Sequence, residues 1–116
     1  TRRKKILAIK EISKELNSPA IITAELSRRL LRRTSKIPKL DDIRGHFIVD
    51  LLDVILLIHR EDYYHETTEP AGNSVAEVII AKRNKDPIGS VYLSFEKKYS
   101  IFKDLGWFDA LHNGVI

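Results

Sequence analysis

The longest apolar run in this chain of 116 residues is only five residues long, Val54-Ile55-Leu56-Leu57-Ile58. A helix needs about 20 consecutive apolar residues to cross a bilayer, so the run is no membrane span. It reads instead as a short buried strand over 53–58. A second block, Ala20-Ile21-Ile22-Thr23-Ala24, follows the helix-stopping Asn17-Ser18-Pro19. Both blocks are apolar throughout rather than alternating, which suits strands covered on both faces of a sheet. Such strands require helices packed on them, and this points to an α/β chain.

The remaining segments fit that frame. Ile6, Ile9, Ile12 and Leu16 recur at helical spacing among lysines, which predicts an amphipathic helix over 4–16. Residues 28–39 hold Arg28, Arg29, Arg32, Arg33, Lys36 and Lys39 with no acid among them. One or two helical turns are expected there before Pro38 closes the segment. Asp41 or Asp42 is expected to cap a short helix over about 43–51, which Gly45 weakens. Residues 61–74 are acidic and turn-rich and read as an exposed loop ending at Pro70-Ala71-Gly72-Asn73. A third strand is expected over 75–81 and a turn at Asp86-Pro87 and Gly89. A fourth, half-buried strand is expected over 90–96, with 99–102 pairing to it as a hairpin. The tail from Asp104 shows no pattern. The expected fold class is α/β with a mixed sheet: parallel strands first, antiparallel hairpin strands after them, and flanking helices. The length fits a single domain, residues 1–116.

Composition excludes several chemistries. With no cysteine, disulfides and thiolate metal sites are out, and a cytosolic compartment is compatible. The basic start Thr1-Arg2-Arg3-Lys4-Lys5 leads into no apolar core or cleavage site of a signal peptide. His46, His59, His65 and His112 lack metal-ligand spacing, and no serine–histidine–acid arrangement stands out. The net charge of +4 allows nucleic acid as a partner. A nucleotide-binding loop of the Gly-x-x-x-x-Gly-Lys-Ser/Thr type cradles phosphate on backbone N–H groups at a helix N-terminus. Gly45, Gly72, Gly89, Gly106 and Gly114 are the only glycines, and no two are five apart. The chain alone is therefore expected not to hydrolyse ATP.

Six segments in order resemble DnaB-type replicative DNA helicases. They are Lys14-Glu15-Leu16-Asn17-Ser18-Pro19, Ile22-Thr23-Ala24-Glu25-Leu26-Ser27-Arg28, Pro38-Lys39-Leu40-Asp41-Asp42-Ile43-Arg44, Asp53 through Tyr64, Ala76 through Lys82, and Gly89 through Phe95. Their order and near-family spacing run from about residue 6 to 105. The resemblance implies the C-terminal portion of a RecA-like ATPase domain, without the part that carries the phosphate-binding loop and the acidic, magnesium-orienting strand.

For the complete family protein the resemblance implies ATP and Mg2+ as cofactors. It also implies single-stranded DNA and other subunits of a ring, expected to be a hexamer, as partners, and a cytoplasmic location with no membrane. No cofactor is expected for this chain alone. Lys82 and Arg83 fall in the family's basic finger, which reaches a neighbouring subunit's ATP. The family's finger arginine aligns with Asn84, so Arg83 arrives one position early. Glu25 takes the place of a glutamine that senses the terminal phosphate, where a carboxylate would repel it. Its other reading is a strand-end acid paired with Arg28 or Arg29. Arg44, Gly45 and His46 occupy the loop that lies on the DNA backbone. Their other reading is a helix packed through Ile43, Phe47 and Leu51. The 28–39 cations would line a DNA channel, meet a neighbouring subunit, or form a solvated face. Tyr63 and Tyr64 read as packing residues. The departures at Glu25, Asn84 and 45–53 keep open a non-enzymatic relative that docks on a helicase ring or binds single-stranded DNA. An unrelated basic α/β domain with an interaction role is a third possibility.

Overall fold

A computed structural model gives the architecture; it describes residues 1–44, 46–64 and 73–105, with the backbone alone for His46, Phe47 and Asn73. The expected tail beyond 105 and most of the expected acidic loop lie outside the described residues. The order is a helix, three short 3-10 helices, a strand, a fourth 3-10 helix and three more strands.

Helix α1 spans Arg2–Leu16. Thr1 caps it by accepting from the Lys4 N–H at 3.3 Å. Asn17 ends it in the left-handed conformation at φ 50°. The Asn17 and Ser18 N–H groups return to the carbonyls of Lys14 and Ser13 at 3.2 and 3.0 Å. The apolar stripe that predicted this helix is only partly covered: Ile6 is buried, whereas Ile12 and Leu16 are exposed.

The block 20–24 is a correction. It forms no strand, and Ile21 is 93% exposed. A parallel pairing needs a crossover of a dozen or more residues, usually an α-helix. The described residues between 24 and 54 supply only 3-10 helices, at Arg28–Arg32, Leu40–Asp42 and His46–Leu51. The helix expected over 43–51 is instead a 3-10 helix over His46–Leu51. Asp42 caps no α-helix, because its carboxylate is held by Arg33 and by the Lys39 N–H.

The sheet is antiparallel throughout the described residues, so its expected parallel part is also corrected. Strands β1 (Val54–His59), β2 (Asn73–Arg83), β3 (Gly89–Glu96) and β4 (Ile101–Asp104) pair in chain order. Strands β2 and β3 fall where they were expected, whereas the return strand expected over 99–102 starts two residues later, because 97–100 are used by the turn. Strand β1 is not doubly covered. Ile55, Leu57 and His59 are buried, while Val54, Leu56 and Ile58 on the other face are about half exposed. A bulge interrupts the β1–β2 ladder: Leu56 faces Ile80, Ile55 faces Lys82, and Ala81 is the extra residue.

Ile6, Ile48, Ile55 and Leu57 are buried. Two lysines tie the covering elements down. The last carbonyls of the 3-10 helix His46–Leu51 have lone pairs to spare, although that of Val49 already accepts from the Leu52 N–H at 3.3 Å, and a lysine ammonium is a natural donor to them. Lys10 Nζ reaches the Leu51 carbonyl at 2.7 Å, and Lys82 Nζ reaches that of Val49 at 2.8 Å. At the other end of the sheet, Asp62 bridges Arg60 at 3.0 Å and Lys97 at 3.2 Å. There the Arg60 guanidinium lies 3.9 Å from the Phe95 ring centre, and Phe95 packs on Phe102. Tyr64 lies beside the His59 ring, whereas Tyr63 is mostly exposed.

Candidate functional site

Two stretches of the chain, 25–29 and 41–44, are stapled together. Leu26 and Ile43 form an isolated antiparallel bridge, and the Ser27 N–H donates to the Asp42 carbonyl at 2.6 Å. Ser27 opens the 3-10 helix by accepting from the Arg29 N–H at 3.3 Å. Leu30, buried to 3% exposure, anchors that helix from beneath. Arg28, Arg29 and Arg32 stay on its outer surface. Arg44, exposed, lies one residue past the bridge on the other stretch.

An open cleft of about 460 Å³ is lined by Glu25, Arg28, Arg29, Arg32 and Arg44 together with Leu26 and Ser27. Four guanidinium groups face one carboxylate, so the cleft is strongly cationic. Glu25 forms no ion pair within 4 Å among the described residues, so the expected pairing with Arg28 or Arg29 is not seen. Such a cleft suits an anion with several oxygen acceptors.

A forked ion pair joins Arg33, next to Arg32, to Asp42, next to Ile43 of the bridge. Arg33 donates to both oxygens of Asp42, at 2.5 and 2.9 Å, and the Lys39 N–H donates at 2.7 Å. Burial pushes the Asp42 carboxyl upward. The bonds from Arg33 and Lys39, with the nearby charges of Arg33 and Arg29, outweigh it and hold the group below the usual carboxylate range.

The basic turn is a separate site. Strand β2 runs through Arg83, so Lys82 and Arg83 point to opposite faces. Lys82 shares the face of Ile55 and is engaged with the Val49 carbonyl. Arg83 is exposed, with Asp86 a distant partner at 3.8 Å. Asn84, where the family arginine aligns, adopts φ 44°, and its N–H donates to the Asp53 carbonyl at 3.1 Å.

Of the other expected site residues, Gly45 lies outside the described residues, and His46 is described only as backbone at the start of a 3-10 helix. The cleft unites Glu25 with Arg44 but includes neither Lys82 nor Arg83. Sequence reading offered the 28–39 cations as a DNA-channel lining, a subunit contact or a solvated face, but did not join them to Arg44. The usable signal was the lack of any acid from 26 to 40, which leaves those charges without a local partner.

Comparison with known proteins agrees with this chain's motifs. The family model described as DnaB-like helicase C terminal domain matches residues 4–104. Replicative DNA helicase DnaC of Bacillus subtilis is 37% identical over 98 residues, covering 84% of this chain and 21% of the relative. Replicative DNA helicase DnaB of Geobacillus stearothermophilus is 34% identical over 99 residues, with the same coverage. The chain thus spans about a fifth of the length of these relatives. A DnaB-like replicative helicase, solved in a study of its interactions with primase, superposes with a TM-score of 0.74 at 34% identity, over 90% of this chain and 25% of that one. A second solved structure, of an isolated ATPase domain, superposes with a TM-score of 0.71 at 36% identity, over 91% of this chain and 38% of that one.

Proposed function

Because the chain belongs to the DnaB-like helicase C-terminal domain family, we propose that it is part of a replicative DNA helicase that couples ATP hydrolysis to translocation on single-stranded DNA and unwinding at the replication fork. The observation that carries this reading is the match over residues 4–104, joined to a cationic cleft that contains Arg44.

In this reading Arg44, with the adjoining backbone of Gly45 and His46, contacts DNA phosphates. Arg83 and Lys82 act across a subunit interface of a hexameric ring, near the neighbour's ATP and Mg2+. Arg83 is favoured for the phosphate contact, because the ammonium of Lys82 already serves the Val49 carbonyl. Glu25 stands where an uncharged sensor would be, and its carboxylate disfavours close approach of a phosphate. The phosphate cradle and the magnesium-orienting acid would come from residues outside this chain. The exposed Ile12, Leu16, Ile21 and Ile22 would pack on that same portion, as parts of one RecA-like domain. No described helix is long and apolar enough to cross a membrane.

The test is a chimera in which residues 4–104 replace the matching segment of a DnaB-type helicase. Retained ring assembly and DNA unwinding support the reading. A ring that assembles and binds DNA without hydrolysing ATP would favour the non-enzymatic relative, to which Glu25 and Asn84 lend weight.

A further inference from the structure

The 3-10 helix His46–Leu51 has little apolar anchorage: among its described side chains only Ile48 is buried. Four cations from two other elements reach this helix and Arg44, which lies just before it in the chain. From α1, Arg2 donates to the Arg44 carbonyl, Arg3 pairs with Asp50 at 3.8 Å, and Lys10 donates to the Leu51 carbonyl at 2.7 Å. From β2, Lys82 donates to the Val49 carbonyl at 2.8 Å. The Arg3 pair is long and exposed, so it contributes little. The two lysine bonds are short, partly buried and charge-assisted, which makes them the stronger ties. Together they fasten one short helix to both α1 and the sheet.

We propose that Lys10 and Lys82 are positioning residues for Arg44: by pinning the carbonyls of Leu51 and Val49 they fix the chain on the far side of Arg44, and they meet no phosphate themselves. The proposal rests on the reading of Arg44 as a phosphate contact. It gives Lys82 an inward duty in place of the finger duty that the family resemblance implies. Upstream of Arg44 the backbone is already fixed, because Ile43 bridges Leu26. Downstream, the tethered helix supplies the second fixed point. A cation whose backbone is held at both ends loses less freedom on meeting a phosphate than one at the end of a loose segment, and that difference appears as affinity.

The experiment measures binding of a fluorescent oligo-dT to the 116-residue chain without nucleotide, across a salt series, beside K10M, K82M, K82R and R44A. Methionine keeps the length of each lysine and removes its donor. Circular dichroism at the assay temperature checks each fold, and two separate lysines keep the test open if one variant does not fold. R44A should weaken binding and flatten the log–log salt slope by about 0.7, the contribution of one phosphate contact on a single strand. K10M and K82M should each weaken binding about fivefold with the slope unchanged, since no phosphate contact is lost. K82R, which keeps a donor, should bind like the wild type. A finger that touches only ATP would leave K82M without effect here. If R44A weakens binding while K10M and K82M do not, the positioning role is refuted and the Arg44 reading stands. A flattened slope in K82M would make Lys82 a phosphate contact, and a K82R as weak as K82M would exclude the donor role; either overturns the proposal. Wild-type binding that is absent at low salt, or unchanged in R44A, refutes the Arg44 reading and the proposal with it.

Discussion

Arg33 holds Asp42 with both arms of its guanidinium, at 2.5 and 2.9 Å, across nine residues of chain. The carboxylate is 2% exposed, so it has exchanged water for these bonds and for the Lys39 N–H. Removing one partner of a buried pair leaves the other uncompensated. R33A should therefore cost roughly 2–4 kcal/mol of folding stability, toward the lower end because Arg33 is itself partly exposed. Urea denaturation followed by circular dichroism measures it. A cost under about 0.5 kcal/mol, the range of an ordinary surface substitution, would show that the fork contributes little to holding the cleft.

The same pair sets a response to acid. The carboxyl of Asp42 is held below its ordinary range, and so is that of Asp62, where Arg60 and Lys97 outweigh the opposing effect of burial. A depressed carboxylate contributes stability that is complete above the unfolded-state pKa of about 3.9 and is lost as pH falls through the lower folded-state value. Melting temperature should thus be insensitive to these groups between about pH 7 and 5 and fall below about pH 4. In R33A the burial of Asp42 acts unopposed by its strongest partner, so the gap between variant and wild type should narrow as pH falls. A gap that widens in acid would contradict the assignment.

Lys82 and Arg83 are adjacent in sequence but have opposite duties. K82M removes a donor from the Val49 carbonyl and should lower stability by about 1 kcal/mol. R83A, with only a long, exposed contact to Asp86, should change stability by less than about 0.5 kcal/mol. In the helicase chimera the expected pattern reverses: R83A should suppress ATP hydrolysis far more than it affects folding. Hydrolysis unaffected by R83A would remove it from the neighbour's nucleotide site.

Asn84 occupies a left-handed conformation that asparagine tolerates and β-branched residues resist. N84G should be neutral within a few tenths of a kcal/mol, whereas N84V should cost about 1–2 kcal/mol. An N84R variant, which restores the charge that the family alignment expects, tests whether side-chain chemistry can be recovered there. Its melting temperature reports the strain separately from its effect on ATP hydrolysis in the chimera.

Periodicity made much of the fold legible. Helix α1 carries its own signal in isoleucine spacing and β3 in its alternation, while β4 was placed two residues early because the length of the 97–100 turn leaves no mark in the hydrophobic pattern. The block 20–24 misled because an apolar run reports that burial is needed, without saying that its cover lies within the described residues. Strand β1 misled for a related reason: five apolar residues in a row hide the fact that only Ile55 and Leu57 meet the core of the chain. The Arg33–Asp42 fork was invisible because its partners belong to different 3-10 turns, outside any local spacing rule. Arg44 was singled out from the family motif. Its meeting with Arg28 and Arg32 depends on the bridge between Leu26 and Ile43, which no periodicity encodes.

The bulge at Ala81 has a consequence for how length variation can be tolerated. Ile80 and Lys82 already lie on opposite faces, as neighbours in an unbroken strand would, so the ladder absorbs Ala81 without using it to alternate. Deleting Ala81 would leave the orientation of Lys82, Arg83 and the turn beyond them unchanged. Deleting Ile79, two positions earlier, would invert one side of the strand relative to the other. The hairpin thus contains one spare position, placed where a family of related sequences could gain or lose a residue without re-aiming its charged tip.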